Sequence, residues 1–192
     1  MMPNFGRQLG EWIEAHSRWH ESRKVTSGGD WFVPAYGIPN NVKEEIQYYA
    51  GNLPWDSSAK LQDPSKYHIT SFYSPSGFSD PTLHTWVRSH SGPHYPAQIH
   101  SLDNFTPSGN NENLQPVVMR FHAPELSAHA EEMMAEAEAR GLSPARFDGG
   151  HKPHITLGHN PVPIQEEVPH INFMTEPLHE LHTYYDSLKE NN

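Results

Sequence analysis

Two short stretches decide how this chain folds: Lys66-Tyr67-His68-Ile69-Thr70-Ser71-Phe72-Tyr73 and His151-Lys152-Pro153-His154-Ile155-Thr156-Leu157-Gly158. The first is rich in β-branched and aromatic residues, and the second carries the apolar run Ile155-Thr156-Leu157 after its histidine. Ser74-Pro75-Ser76-Gly77 closes the first, and Gly149-Gly150 opens the second. That pattern predicts two strands bounded by turns. Side chains alternate along a strand, so His68 and Thr70 share one face and Ile69 turns to the other; His154, Thr156 and Ile155 repeat the arrangement. The chain thus carries the same His-Ile-Thr unit twice, each with an apolar residue for the core and two polar groups facing away from it.

Outward from these strands the order of elements is legible. Trp31 to Ile38 is β-rich and ends at Pro39, which predicts the first strand. A helix follows, with Asn41 as the expected N-cap, Glu44 three residues on, and Val42, Ile46, Tyr49 and Leu53 on its apolar face. Asp80 and Pro81 open a second helix with Leu83, Trp86 and Val87 inward, stopped by Gly92-Pro93. Ala97 to Phe105 and Gln115 to Phe121 read as a hairpin. Pro124 to Arg140 is the clearest helix, with Leu126, Ala130, Met133, Met134 and Ala137 on one face and Gly141 beyond the end. One or two further strands are expected between Ile171 and Tyr185. In each half a helix leads into a His-Ile-Thr strand, so the expected fold is α+β with two related lobes. Residues 1–27 form an N-terminal extension, with a helix whose apolar positions run from Phe5 to Trp19. Its expected role is to pack on the outside of the main domain, 28–192, or to dock a partner protein.

Composition limits the function classes. The 192 residues carry 13 Lys and Arg against 23 Asp and Glu, a formal net charge of −10. That argues against a long nucleic-acid track, which needs clustered cations, and leaves room for a small phosphate ligand in a locally positive pocket. There is no cysteine, hence no disulfide, thiolate metal site or thiol nucleophile. No apolar run reaches bilayer length, and no basic segment followed by an apolar one opens the chain; a cytoplasmic protein without membrane association is expected.

The paired motifs suit phosphate chemistry. A neutral imidazole accepts a proton from a nucleophilic hydroxyl, while a protonated one donates to the leaving oxygen. His68 and His154 are the candidates for these roles. Thr70 and Thr156 are placed to donate to the non-bridging oxygens whose charge grows in the transition state. The scheme needs neither metal nor cofactor. Two subsidiary candidates are Tyr36, whose ring is expected to stack on a base, and Lys152, which would bring positive charge beside the second motif.

The pair Tyr67-His68-Ile69-Thr70 and Lys152-Pro153-His154-Ile155-Thr156-Leu157-Gly158 resembles the motifs of the 2H phosphoesterase superfamily, in element order over about residues 30 to 185. The resemblance implies a bilobal α+β fold with the motif strands flanking a central groove, and the roles given above to the two histidines and two threonines. Relatives of this kind include RNA 2′,3′-cyclic phosphodiesterases related to 2′-5′ RNA ligases and phage anti-CBASS nucleases that cut cyclic oligonucleotide signals. Many members carry an arginine shortly after the second motif, where this chain has His159-Asn160-Pro161. That departure points away from the RNA-end enzymes, and the run Ser71-Phe72-Tyr73-Ser74, which resembles phage members, points with the acidic charge to short or cyclic oligonucleotides, RNA-end processing being the alternative substrate class.

Two rival readings come from other classes. The 15 histidines include the pairs His151/His154, His90/His94 and His179/His182 at spacings known from zinc sites, but no acidic partner stands beside them in a ligand pattern. On a strand, moreover, His151 and His154 would point to opposite faces. A non-catalytic nucleotide binder or attachment protein is the other reading. Binding alone has no need of two matched proton carriers.

Overall fold

The computed structural model describes residues 32–74, 80–105, 113–146 and 149–181. The helix expected over Phe5–Trp19, the boundary after residue 27 and the turn at Pro75–Gly77 lie outside the described residues. Among the described residues, eight strands and three helices follow one another: β1 (Pro34–Gly37), α1 (Asn40–Gly51), β2 (Lys60–Leu61), β3 (His68–Thr70), α2 (Pro81–Ser89), β4 (Pro96–Asn104), β5 (Gln115–His122), α3 (Pro124–Ala139), β6 (His154–Asn160), β7 (Asn172–Met174) and β8 (Leu178–Glu180). A 3-10 turn over Pro64–Lys66 leads into β3.

The strands form two antiparallel sheets, one ordered β3-β1-β8 and the other β2-β6-β5-β4-β7. The α+β class and the expected β4–β5 hairpin are both present. Neither sheet is confined to its own half of the chain. β8 returns from the C-terminal half to pair with β1, and β2 leaves the N-terminal half to edge β6. Each sheet therefore borrows one strand from the other half, which ties the two together.

Local chemistry explains the helices. Asp80 caps α2 by accepting the Thr82 N–H at 2.9 Å, Pro81 fills the first turn, and Leu83, Trp86 and Val87 are buried. In α3 the residues Leu126, Ala130, Met133, Met134 and Ala137 all face the core, and Gly141 takes φ +86° just past the end. The expected Asn41 cap of α1 is not formed. The helix begins one residue earlier, after Pro39, whose fixed φ sets its entry without a side-chain bond.

Ile69 and Ile155 are fully buried in one continuous core with Phe72, Met119, Leu126 and Leu157. Burying an isoleucine contributes about 1.5–3 kcal/mol, so the middle residue of each motif anchors its strand and fixes which face the flanking histidine and threonine take. Gly158 ends the apolar part of β6 where only glycine fits: an added Cβ would lie 2.7 Å from the Lys60 carbonyl of β2.

Candidate active site

The small sheet sets out the first motif. His68 lies opposite Gly37 on β1, and Thr70 opposite Ala35, which in turn faces His179 on β8. One face of this sheet thus presents His68, Thr70 and His179 across strand positions that carry almost no side chain. Gly37 is required there, because a Cβ would come 2.5 Å from Glu176 Oε2. The glutamate therefore covers β1 beside His68. In the large sheet His154 lies opposite Arg120 on β5, and Thr156 opposite Val118. The Phe105 ring meets His154 edge-on, centroids 5.5 Å apart.

The two histidines are held in the same way. His68 Nδ1–H donates to the Lys66 carbonyl at 2.8 Å, and His154 Nδ1–H to the Lys152 carbonyl at 2.9 Å, each two residues back. A carbonyl can only accept, so Nδ1 carries the proton in both rings. In the neutral form Nε2 is then left as the basic atom, the tautomer that a general base requires.

Their titration is matched as well. Burial pushes His68 and His154 down to about 4, against the opposing pull of the carbonyl bonds. Positive charge on His179 and Lys43 adds to the effect at His68; Arg120, His151 and His68 add to it at His154. The last of these matters most for the geometry. β3 packs against β6, and protonation of one motif imidazole disfavours protonation of the other. Two residues remote in sequence are thereby brought into electrostatic contact.

Thr70 and Thr156 are half-buried on the same faces as their histidines. The Thr70 side chain hydrogen-bonds with Tyr73, whose phenol burial lifts to about 12. Sequence reasoning does not find the residue that joins the two motif segments, His151. Its Nε2–H donates to the Thr70 carbonyl at 2.8 Å, its Nδ1 accepts from Ser127 Oγ at 3.1 Å, and its backbone N–H donates to Glu131 Oε1 at 2.6 Å. Alternation along an assumed strand sets His151 on the face opposite His154. The strand begins only at His154, and the ring of His151 reaches from the preceding turn to β3 instead.

The base-stacking role expected of Tyr36 is corrected. Its side chain is 0% exposed, and its hydroxyl bonds His129 Nδ1 at 2.7 Å. All four residues of β1 are buried, so the ring packs in the core and has no face to offer a ligand. Lys152 is half-buried two residues before His154, and its carbonyl orients that ring. Arg120 is the first of the charged side chains that oppose protonation of the His154 imidazole.

In the His159-Asn160-Pro161 segment after the second motif, Asn160 is wholly buried and structural: its side chain accepts the Asp56 N–H at 2.9 Å and donates to the Val162 carbonyl at 2.7 Å. Among the described residues, no group of three or more His, Asp and Glu stands close enough to hold a metal ion, the pairs His151/His154 and His90/His94 included. His182 lies outside the described residues.

The fold is thus two antiparallel sheets joined by exchanged strands, each contributing a His-Ile-Thr strand. Comparison with solved structures gives that architecture its particular form, the LigT-like 2H fold. Escherichia coli LigT complexed with 3′-AMP matches at a TM-score of 0.54 and 14% identity, over 77% of this chain and 83% of LigT. LigT complexed with NADP+ matches at 0.53 and 13% identity, over 80% and 97%. TT0787 of Thermus thermophilus matches at 0.53 and 19% identity, over 77% and 84%. No protein-family model matches the chain, and no curated protein does. The α+β fold that the resemblance implies is thus borne out. No helix among the described residues is long and apolar enough to cross a membrane.

Proposed function

We propose that the chain is a metal-independent phosphodiesterase acting on short or cyclic oligonucleotides. The observation that carries this reading is the matched pair of imidazoles on strands that pack together, each with Nδ1 fixed by a carbonyl two residues back and with His68 acting on His154. In the reaction, Nε2 of one histidine takes the proton from a ribose 2′-hydroxyl or a water as that oxygen attacks phosphorus. Nε2–H of the other gives a proton to the departing oxygen as the P–O bond breaks, and the pair ends with its protons exchanged. Thr70 and Thr156 donate to the non-bridging oxygens, and Lys152 adds positive charge nearby. The LigT fold with 3′-AMP or NADP+ bound supports a nucleotide phosphate as the ligand class. Cyclic di- or trinucleotides of the kind cut by anti-CBASS nucleases are the preferred substrates in this reading, ahead of RNA 2′,3′-cyclic ends.

The test is a panel of 2′,3′-cyclic, 2′-5′-linked and cyclic di- and trinucleotides, measured for turnover and for binding, with and without a strong chelator. Turnover of a cyclic oligonucleotide, unchanged by chelation, is expected. Tight binding without hydrolysis of any member would make the chain a binder, and loss of turnover with the chelator would make it a metalloenzyme.

A further inference from the structure

The strand Gln115-Pro116-Val117-Val118-Met119-Arg120-Phe121-His122 is apolar through its middle except for one arginine. Val117, Val118, Met119 and Phe121 are buried, and the Arg120 side chain is only 16% exposed. A guanidinium withdrawn this far from water ordinarily meets a carboxylate through two parallel bonds. Here it does not. Nη1 donates to Asp103 Oδ2 at 3.1 Å, and the buried Nε has no hydrogen-bond partner among the described residues. An arginine has five donors, so a fixed, half-desolvated cation is left under-used immediately beside His154.

Its place in the sheet says what it is for. Across the large sheet the row runs from His154 on β6, to Arg120 on β5, to Ser101 on β4. Asp103, two residues along β4, holds the guanidinium through Nη1, and β3, which carries His68, packs against β6, so Arg120 on β5 flanks His154 on the next strand of the large sheet. Neighbouring strands are about 4.8 Å apart. A phosphate held between His68 and His154 would therefore have Arg120 next to it along the same face of the large sheet.

We propose that Arg120 binds a second phosphate of the substrate, the one flanking the reacting phosphate on the His154 side, and that Asp103 is its positioning residue. The assignment rests on the phosphodiesterase reading for the location of the reacting phosphate. It narrows the substrates to those with at least two phosphates, and it supplies from β5 a positive charge that the segment after the second motif lacks.

Binding, rather than turnover, tests this separately from the catalytic reading. His68→Ala, in the full chain, is titrated with adenosine 3′-monophosphate, which has one phosphate, and with a diadenylate carrying a 3′-phosphate, which has two. The titrations are repeated over a range of salt with Arg120→Gln added. The diadenylate is expected to bind at least tenfold more weakly to the Arg120→Gln protein. The slope of log affinity against log salt should become shallower by about 0.7, one phosphate's worth for a single strand, with the monophosphate unaffected. Should Arg120→Gln fail to fold, Arg120→Lys keeps the salt slope but loses several-fold in affinity, because a point charge replaces the fork. The proposal is overturned if the diadenylate binds both proteins alike, if both ligands weaken equally, or if neither ligand binds the Arg120-bearing protein. Failure of the catalytic reading alone would appear differently, as normal Arg120-dependent binding with no hydrolysis by the unsubstituted protein.

Discussion

Both motif histidines are poised near 4 in the free protein, which makes the ligand itself responsible for charging the general acid. From pH 4 to neutrality is roughly three units, or about 4 kcal/mol against protonation of either ring. A phosphate charge about 4 Å away, acting through an effective dielectric near 20, stabilises an imidazolium by about 4 kcal/mol. The two magnitudes match. Binding of one phosphate should therefore lift one imidazole by about three units, to near 7, and because the rings repel each other's charge the second should stay neutral. The assay is a pH titration of the imidazole nitrogens by NMR, on the free protein and at saturation with a phosphorothioate analogue. Two rings titrating near 4 when free, and one of them near 7 when bound, are the expected outcome. Ordinary values near 6.5 in the free protein, or no movement on binding, would refute the reasoning.

Other consequences can be measured independently. A histidine buried neutral binds its proton more weakly when folded than when unfolded. The stability it contributes is therefore complete above about 6.5 and lost as pH falls toward 4, by roughly 3 kcal/mol per ring at most. Replacing both His68 and His154 by Ala should flatten chemical-denaturation stability across that window, and an unchanged pH slope would contradict the burial. His151→Phe removes the bond to the Thr70 carbonyl and should lower kcat about tenfold with little change in KM; an unaltered kcat would show the clamp to be idle. Gly158→Ala drives a methyl into the Lys60 carbonyl and should cost about 1–3 kcal/mol, seen as a lower Tm; an unshifted melting curve would count against the close approach of β2.

The parts of the fold that are legible in the sequence are those with a local physical signature. Alternation places Ile69 and Ile155 in the core and so fixes the faces of both motifs, and helical periodicity with Pro124 and Gly141 at its ends marks α3. Pairings across the chain have no such signature. Nothing within Leu178–Glu180 says that it will return to β1, nor within Lys60–Leu61 that it will edge β6. Tyr36 misleads because β1 is buried on both faces, where a period of two does not distinguish inside from outside. His151 misleads because the strand starts three residues later than its apolar pattern. Arg120 leaves one trace, a lone cation in an apolar strand, but its importance depends on a register with His154 that only the folded sheet supplies.

The account stands on a division of labour between two imidazoles acting on one phosphate. Its most direct test is the single-turnover rate of the best panel substrate for the unsubstituted protein, His68→Ala, His154→Ala and the double variant. Each single substitution is expected to cost at least about 10²-fold, and the double little more than either, because the two residues act as a unit. Near-normal turnover by either single variant would contradict it.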